Sequence, residues 1–471
     1  MIWMHSGYGI DPASSKNKVG IEKVYLRPSF FQIHLVDMSL FGSSGIRGIV
    51  GRDLTIDLAS DIGSAVGTMY GRVVLGKDTR TSGDMISQAL TAGITSAGSD
   101  VHLAGMVPTP TLARAASAFE CGLMVTASHN PPDYNGVKMW NPDGSAFDTK
   151  QMTDIEGLIS RKEFDRAEWR GVGKVFDHEG AIEAHIESIV RSLGTFDCKV
   201  VVDCGCGAAS VVSPLLLRRL GCRVFTINAQ PDGFFPGRSP EPTEDQLNDL
   251  KDAVLRKGAD LGIAHDGDGD RMVAVDERGR FVGGDRLLAM FASRSGARGM
   301  VASVDASMVL DDIVKGTVVR CRVGDVYVSE ALKRSQLEYG GEPSGTFIFS
   351  KETYCPDGIY AGALLAKMAG NGRLSYVVDA LPSYPVSRES FSFDSSKRKI
   401  LEARIASEME SVKCERMLTL DGFRADYEDG WFLIRVSGTE PKLRVTAEAR
   451  SEEELKRLKG IYGSIVKRCL S

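Results

Sequence analysis

Thr243-Glu-Asp-Gln-Leu-Asn-Asp-Leu-Lys-Asp-Ala-Val-Leu-Arg-Lys-Gly-Ala-Asp-Leu-Gly-Ile-Ala264 reads as one helix handing over to one strand. Thr243 with Gln246 has the capping-box spacing. Leu247, Leu250, Val254 and Leu255 recur at helical intervals on one face. Gly258 supplies a stop, and Leu261-Gly262-Ile263-Ala264 is a short apolar run of strand type. The same pattern recurs at Val73-Val74-Leu75, Leu123-Met124-Val125 and Val200-Val201-Val202, each an apolar strand leading into a loop and a helical segment. Strands alternating with helices are the mark of α/β layering around largely parallel sheets. The last stretch differs. A strand over Trp431 to Val436, a polar loop and a strand over Leu443 to Ala447 lead to a closing helix. Ser451 and Glu454 are placed to cap it, and Leu455, Leu458, Ile461, Ile465 and Val466 form its apolar face.

The chain has 471 residues, enough for three or four domains at roughly 100–200 residues each. Its 62 acidic and 57 basic side chains give a formal charge of −5, without the basic footprint of a nucleic-acid binder. Any anionic ligand must then be held by local cations. Fifty-one glycines exceed the usual share of about 7%. No apolar run approaches the roughly 18 residues needed to cross a bilayer, and no secretory leader pattern opens the chain. The nine cysteines, an odd number, fit reduced thiols better than a disulfide framework. A cytoplasmic enzyme with no membrane or nucleic-acid partner is expected. Residues 1–37 lack sustained periodicity and read as an extension outside the fold, with Met38 a candidate translation start.

Two familiar phosphate-binding signatures nearly match. Gly71-Arg-Val-Val-Leu-Gly76-Lys77 follows the P-loop pattern until Asp78 stands where a serine or threonine would ligate magnesium, and its middle reads as strand. Gly205-Cys206-Gly207-Ala208-Ala209-Ser210 follows a strand as a dinucleotide fingerprint should, but Ser210 replaces the third glycine. Cys204 and Cys206 are spaced too closely for the usual zinc pairs.

Four polar clusters carry chemistry. In His265-Asp266-Gly267-Asp268-Gly269-Asp270-Arg271, three carboxylates separated by glycines can converge on one hard cation if the backbone curls around it. An EF-hand is excluded because Arg271 stands at its glycine position and strands flank the loop. Magnesium is the expected ion. Thr126-Ala127-Ser128-His129-Asn130-Pro131-Pro132 follows the strand ending at Val125, so its side chains lie at a sheet's carboxyl edge. Ser128 is there a candidate nucleophile, and Lys138 a proton shuttle or phosphate ligand. Gly340-Gly341-Glu342-Pro343-Ser344-Gly345-Thr346 offers Glu342 and Ser344 to sugar hydroxyls, or is a plain turn. Arg435-Val436-Ser437-Gly438-Thr439-Glu440-Pro441-Lys442 combines hydroxyls, glycine and cations in the manner of an anion-binding nest.

These clusters, in this order, together with Phe41-Gly42-Ser43-Ser44-Gly45-Ile46-Arg47-Gly48, resemble the α-D-phosphohexomutases from about Met38 to the end. The resemblance implies four domains around a central cleft. Three are related mixed-sheet α/β domains, at 38–154 (phosphoserine loop), 155–258 and 259–384 (metal and sugar loops). A smaller α+β carboxy-terminal domain, at 385–471, binds phosphate. It further implies that Ser128 carries a phosphoryl group and that Asp266, Asp268 and Asp270 hold one Mg2+ together with an oxygen of phospho-Ser128. Arg47, His129, Lys138 and Arg271 become cleft residues, with Lys138 a candidate general base. Glu342, Ser344 and Thr346 would meet the sugar, and Arg435, Ser437, Gly438 and Thr439 the phosphate that is not reacting. The reaction implied moves a phosphoryl group between the 6- and 1-positions of a hexose phosphate through a hexose 1,6-bisphosphate.

Thr346 stands where many relatives carry histidine, and Val436 where proline is commoner. Glu342-Pro-Ser-Gly-Thr346 looks like archaeal members of the family. Val323-Gly324-Asp325-Val326-Tyr327-Val328 is similar to phosphoglucosamine mutases. Glucosamine 6-phosphate is the favoured substrate, with mannose and glucose phosphates as alternatives. A magnesium-dependent sugar phosphatase and a non-catalytic sugar-phosphate sensor are the rivals from other classes. Monomer and homodimer stay equally open.

Overall fold

The computed structural model describes residues 40–471 apart from 43–44, 295–297 and 439–440. Residues 1–37 and Met38, together with Ser43, Ser44, Thr439 and Glu440 of the quoted motifs, lie outside the described residues.

The first sheet contains β1 (Ile46–Ile49), β2 (Arg72–Lys77), β3 (Asp100–Met106), β4 (Cys121–Val125), β5 (Tyr134–Trp140) and β6 (Val175–Asp177), in the order β1-β5-β4-β2-β3-β6. Strands β4, β2, β3 and β6 run parallel, while β5 turns back between β4 and β1 and pairs antiparallel with both. All of β4 is buried, as expected of an inner strand covered on both faces. Helices Ile56–Met69 and Gly83–Ser96 pack against each other beside it. They approach so closely at Gly93 that a Cβ there would fall 2.2 Å from Ser60 O.

The second sheet contains β7 (Lys199–Asp203), β8 (Arg223–Ile227), β9 (Leu261–His265), β10 (Met272–Asp276) and β11 (Phe281–Val282), in the order β11-β10-β9-β7-β8. Strand β9 is parallel to β7 and antiparallel to β10. This pairing corrects the sequence assignment of the metal loop to the third α/β domain. The loop joins β9 to β10, and both strands belong to the second sheet. A cut at 258/259 would sever β9 from β7.

The third sheet holds β12 (Gly299–Ser303), β13 (Thr317–Cys321), β14 (Tyr339–Glu342) and β15 (Thr346–Phe349), in the order β13-β12-β14-β15. The fourth is wholly antiparallel. Its strands are β16 (Val386–Ser392), β17 (Arg416–Leu418), β18 (Phe423–Tyr427), β19 (Gly430–Val436) and β20 (Lys442–Ala449), in the order β16-β20-β19-β18-β17.

The opening segment folds with two departures from its sequence reading. A 3-10 turn over Glu244–Gln246 precedes the helix Asn248–Lys257, and Thr243 makes no side-chain cap. Gln246 Oε1 instead accepts from Ser239 N at 2.9 Å. Leu247, Leu250 and Val254 are fully buried, whereas Leu255 is 55% exposed. One residue advances about 100° around a helix, so Leu255 sits past the edge of the stripe. Gly258 closes the helix at φ 55°. At the other end of the chain, Ser451 Oγ accepts from Glu454 N at 3.2 Å and starts the helix Glu452–Leu470. Leu455, Leu458, Ile465 and Val466 are buried there, and Ile461 is partly so.

The sheets are tied together by buried polar links. Thr111, His185 and Asp357 form a chain, 2.8 Å from Thr111 Oγ1 to His185 Nδ1 and 3.0 Å from His185 Nε2 to Asp357 Oδ2. Asp357 also caps the central helix Gly358–Gly370 by accepting from Ile359 N and Tyr360 N. Glu448 of the fourth sheet accepts from Ser307 Oγ, Met308 N and Trp431 Nε1 at 2.6–2.9 Å. All nine cysteines are free thiols. Among the described residues no helix is long and apolar enough to cross a membrane.

Candidate active site

Strand β4 delivers the serine loop at its carboxyl end. Ser128 is fully buried and has φ 52°, a left-handed conformation that costs a non-glycine residue energy. Its N–H donates to Thr126 Oγ1 at 2.8 Å, and its Oγ donates to Asp266 Oδ2 at 2.8 Å. His129 Nδ1 lies 3.4 Å from the same Oγ.

Strand β9 delivers the metal loop at its own carboxyl end, and Asp266, Asp268 and Asp270 are all buried. Each offers an oxygen within 4.8 Å of the other two. Backbone donors shape the curl, for Asp266 Oδ1 accepts from Gly269 N and Arg271 N, both at 3.1 Å. Thr109 Oγ1 donates to Asp268 Oδ2 at 2.6 Å. Lys138 Nζ, on β5, sits 2.8 Å from Asp268 Oδ2 and 2.5 Å from Asp270 Oδ2. Asp268 Oδ1 and Asp270 Oδ1 are buried without a hydrogen-bond partner among the described residues. Orphaned carboxylate oxygens inside a protein are costly, and here they belong to two of the three carboxylates that could hold one ion. The donor set is all oxygen, as Mg2+ requires.

The electrostatics suit a site for a cation. Burial and the charge of Asp268 push the Asp266 and Asp270 carboxyls up. At Asp268 burial works in the same direction, but Lys138 outweighs it and keeps that carboxyl low. Lys138 is buried too, yet Asp268 and Asp270 overcome the desolvation and hold its proton more firmly than usual. The Lys138 ammonium thus answers Asp268 and Asp270 directly, and Arg271 is the nearer compensating charge for Asp266.

Arg271 and Arg47 flank His129. Arg271, then burial, then Arg47 drive the imidazole pKa down to about 2, so His129 is neutral at physiological pH. Arg47 Nη1 donates to Asn130 Oδ1 at 3.3 Å, and its buried Nε has no partner among the described residues. Arg271 Nε lies 3.9 Å from Asp270 Oδ1.

The third sheet brings its β14–β15 turn against the metal loop. Arg271 bridges to Thr346, and Met272 N donates to Gly345 O at 3.1 Å. Gly345 has φ 89°, and a Cβ there would fall 2.6 Å from Met272 O, so only glycine permits this approach. Glu342 and Thr346 are buried and Ser344 is exposed, with Ser344 Oγ 3.1 Å from Thr346 Oγ1. Burial, helped by Asp305 and Asp325, pushes the Glu342 carboxyl up to about 8. Its Oε1 accepts from Gly324 N at 2.7 Å.

Arg435 ends β19, and its Nη1 lies 3.3 Å from Asp421 Oδ2. The same Asp421 oxygen accepts from Val323 N at 3.2 Å. A chain of contacts therefore runs from Glu342 through Gly324 and Val323 to Asp421 and Arg435. Ser437 is buried, with its N–H on Lys442 O and its carbonyl accepting from Arg398 Nη2, both at 2.8 Å. Gly438 is exposed, and Thr439 lies outside the described residues.

The structure thus brings Arg47, Ser128, His129, Lys138, Asp266, Asp268, Asp270 and Arg271 into one cluster, with Glu342, Ser344 and Thr346 on its border. Thr109 and Asp421, which hold these groups, gave no signal in the sequence, whereas Thr126 stood in the serine motif without a role and Asp78 drew notice only as the residue that spoils the P-loop.

Comparison with known proteins agrees with this arrangement. Residues 38–166, 181–279 and 283–384 match alpha/beta/alpha domains I, II and III of phosphoglucomutase/phosphomannomutase, and 395–460 match its C-terminal domain. The chain is 49% identical over 435 residues to a protein of Methanocella arvoryzae named probable phosphoglucosamine mutase, covering 92% of this chain and 99% of that one. It is 41% identical over 448 residues to the phosphoglucosamine mutase of Methanocaldococcus jannaschii, with the same coverage. Among solved structures, a phosphoglucomutase/phosphomannomutase family protein of Burkholderia thailandensis superposes with a TM-score of 0.82 at 29% identity, over 91% of this chain and 97% of that one. The chain belongs to the phosphoglucomutase/phosphomannomutase family.

Proposed function

We propose that this enzyme is a phosphoglucosamine mutase, converting glucosamine 6-phosphate to glucosamine 1-phosphate, with Ser128 as the phosphoryl carrier. The observation that carries the site assignment is the bond from Ser128 Oγ to Asp266 Oδ2 at 2.8 Å. It joins the only candidate nucleophile in the cluster to the only candidate metal group found among the described residues. The substrate rests on the two archaeal relatives, whose names specify it.

Asp266, Asp268 and Asp270, with an oxygen of phospho-Ser128, would hold Mg2+. When bound, that ion neutralises charge on the transferring phosphoryl group. Everything else falls to the chain's own side chains. Phospho-Ser128 gives its phosphoryl group to a sugar hydroxyl: the Ser128 O–P bond breaks, a sugar O–P bond forms, and the hydroxyl proton leaves. The product is a hexose 1,6-bisphosphate. It turns end for end, and Ser128 Oγ takes back the phosphoryl group at the other position. Lys138 is the candidate base for the hydroxyl proton, a role that requires the charge of Asp268 and Asp270 to be compensated first. Neutral His129 offers a ring N–H, and Arg47 and Arg271 offer fixed positive charge. Glu342, Ser344 and Thr346 would read hydroxyls, and Arg435, Ser437, Gly438 and Thr439 would grip the distal phosphate. The free thiols suit a reducing cytoplasm.

The test compares kcat/KM for glucosamine, mannose and glucose 6-phosphates on one preparation, with inorganic phosphate followed in parallel. Glucosamine 6-phosphate should lead, without stoichiometric phosphate release. A lead for mannose or glucose phosphate removes the substrate assignment, and phosphate released in step with consumption replaces mutase by phosphatase.

A further inference from the structure

Two buried Asp–Arg pairs stand behind the reacting loops, on the two segments that resemble phosphate-binding motifs without being such. Asp78 follows the last residue of β2. Its Oδ2 lies 3.1 Å from Arg80 Nε and accepts from Thr126 Oγ1 at 2.7 Å. The rest of the Arg80 guanidinium is spent on backbone: Nη2 donates to Ser128 O and Asn130 O, and Nη1 to Pro131 O and Tyr134 O, all at 2.6–2.9 Å. Ser128 is therefore gripped on both of its peptide groups, its N–H through Thr126 and its carbonyl by Arg80.

Asp203 is the last residue of β7. Its Oδ2 lies 2.8 Å from Arg238 Nε, and its Oδ1 accepts from Gly205 N and Asn228 Nδ2 at 2.9 and 3.0 Å. Arg238 Nη2 donates to His265 O at 2.6 Å, on the residue just before Asp266. A Cβ on Gly205 would fall 2.7 Å from the Arg238 guanidinium, and one on Gly207 would fall 2.5 Å from Gly267 O. The glycines of the abortive dinucleotide motif thus admit an arginine and the metal loop instead of a pyrophosphate.

The two devices repeat. Strand β2 is the parallel neighbour of β4, which carries Ser128, and β7 is the parallel neighbour of β9, which carries Asp266. Each sheet places an aspartate at the end of the neighbouring strand, and each aspartate orients an arginine, Arg80 onto carbonyls of the serine loop and Arg238 onto the carbonyl of His265, next to Asp266. The halves also touch, since the Arg80 guanidinium lies 5.3 Å from the Phe235 ring centroid and Gly233 packs on the Arg80 backbone.

We propose that Thr126 with the Asp78–Arg80 pair, and Arg238 with Asp203, are positioning groups, buried clamps that hold Ser128 in its left-handed conformation and present Asp266 to it. The proposal rests on the reading of Ser128 as phosphoryl carrier. It is tested on the full chain with Thr126→Val, which keeps shape but removes the acceptor of Ser128 N–H, and with Arg238→Lys, which keeps charge but not the fork. The readouts are amide hydrogen exchange of the segment around Ser128, Mg2+ affinity by calorimetry, and kcat against KM. Thr126→Val should speed exchange at Ser128 and lower kcat, each by about tenfold or more, with KM and Mg2+ affinity held within about threefold. Arg238→Lys should weaken Mg2+ binding by about tenfold or more, leave exchange at Ser128 unchanged, and recover turnover at saturating Mg2+. Wild-type exchange at Ser128 in the first variant, or wild-type Mg2+ affinity in the second, overturns the proposal. So does a joint fall of kcat, KM and melting temperature in both, the pattern of mere scaffolding. If the unaltered enzyme turns over no hexose phosphate, the mutase reading fails, while exchange and calorimetry still decide the clamps.

Discussion

Ser128 Oγ and Asp266 Oδ2 meet at 2.8 Å although 138 residues separate them and they hang from different sheets. Neither group has another way into the chemistry. If Ser128 is the phosphoryl carrier, as proposed, Ser128→Ala removes the accepting oxygen and leaves the proposed sugar and phosphate contacts in place. Turnover should fall by about 10³-fold or more, with hexose-phosphate affinity within about threefold. Steady-state assay and calorimetry on one preparation check this. Intact mass should show a phosphate on wild type after incubation with a hexose 1,6-bisphosphate and none on the variant, and a fully active variant would refute the role.

Mg2+ should stabilise the folded enzyme, because a ligand that binds the native state alone adds about 2.7 kcal/mol at a hundredfold excess over its Kd. The orphaned oxygens of Asp268 and Asp270 are the proposed source of that energy. Asp268→Asn removes one of three carboxylate charges and should weaken Mg2+ by about tenfold or more. Melting curves with and without chelator check both statements: the chelator-sensitive shift seen in wild type should shrink in the variant at the same Mg2+ concentration.

Much of this was legible in the sequence, for local reasons. Unbroken apolar runs such as Leu123–Val125 and Leu261–Ala264 announce buried strands, and the aspartate loop announces itself by composition as a group that could hold a metal. What escaped depends on partners distant in sequence. Arg80 looks like any loop arginine until its nitrogens are seen on four carbonyls beyond residue 127. Asp421 acquires meaning only from Arg435 and Val323. The metal loop's sheet could not be read from Gly258 onward, because β9 chooses β7 as its neighbour across some sixty residues. Even within the opening helix, Leu255 is apolar and exposed, and periodicity alone does not distinguish the edge of a stripe from its centre.

Arg435 should govern affinity more than rate. Its guanidinium is held by Asp421 at 3.3 Å, and the proposed role is to grip the distal phosphate rather than the reacting atoms. A charged hydrogen bond contributes about 1.5–3 kcal/mol, so Arg435→Ala should raise KM by about ten- to a hundredfold. Lysine keeps charge but loses the fork, and Arg435→Lys should fall between. Mg2+ affinity should not move in either variant. A fall in kcat at unchanged KM would place Arg435 with the reacting groups instead.

Glu342 sets a pH limb of stability. Burial raises its carboxyl to about 8, so the folded state holds this proton more tightly than the unfolded chain does. Such a group contributes its full stability below its ordinary pKa and loses it as pH rises through the folded value. The window therefore runs from about 4.5 to about 8, at roughly 1.4 kcal/mol per pKa unit as an upper scale. Glutamine preserves the acceptor for Gly324 N and cannot ionise. Glu342→Gln should thus match the wild type near pH 5 and melt progressively higher than it as pH approaches 8, in the absence of substrate. Thermal unfolding across that range checks it, and two parallel curves would mean that Glu342 ionises normally. His129, driven from 6.5 to about 2 by Arg271, burial and Arg47, adds a limb of its own, a loss of stability as pH falls below about 6.5, but that limb is common to both proteins and cancels in their comparison. The divergence between the two curves then belongs to the buried carboxyl of the sugar loop.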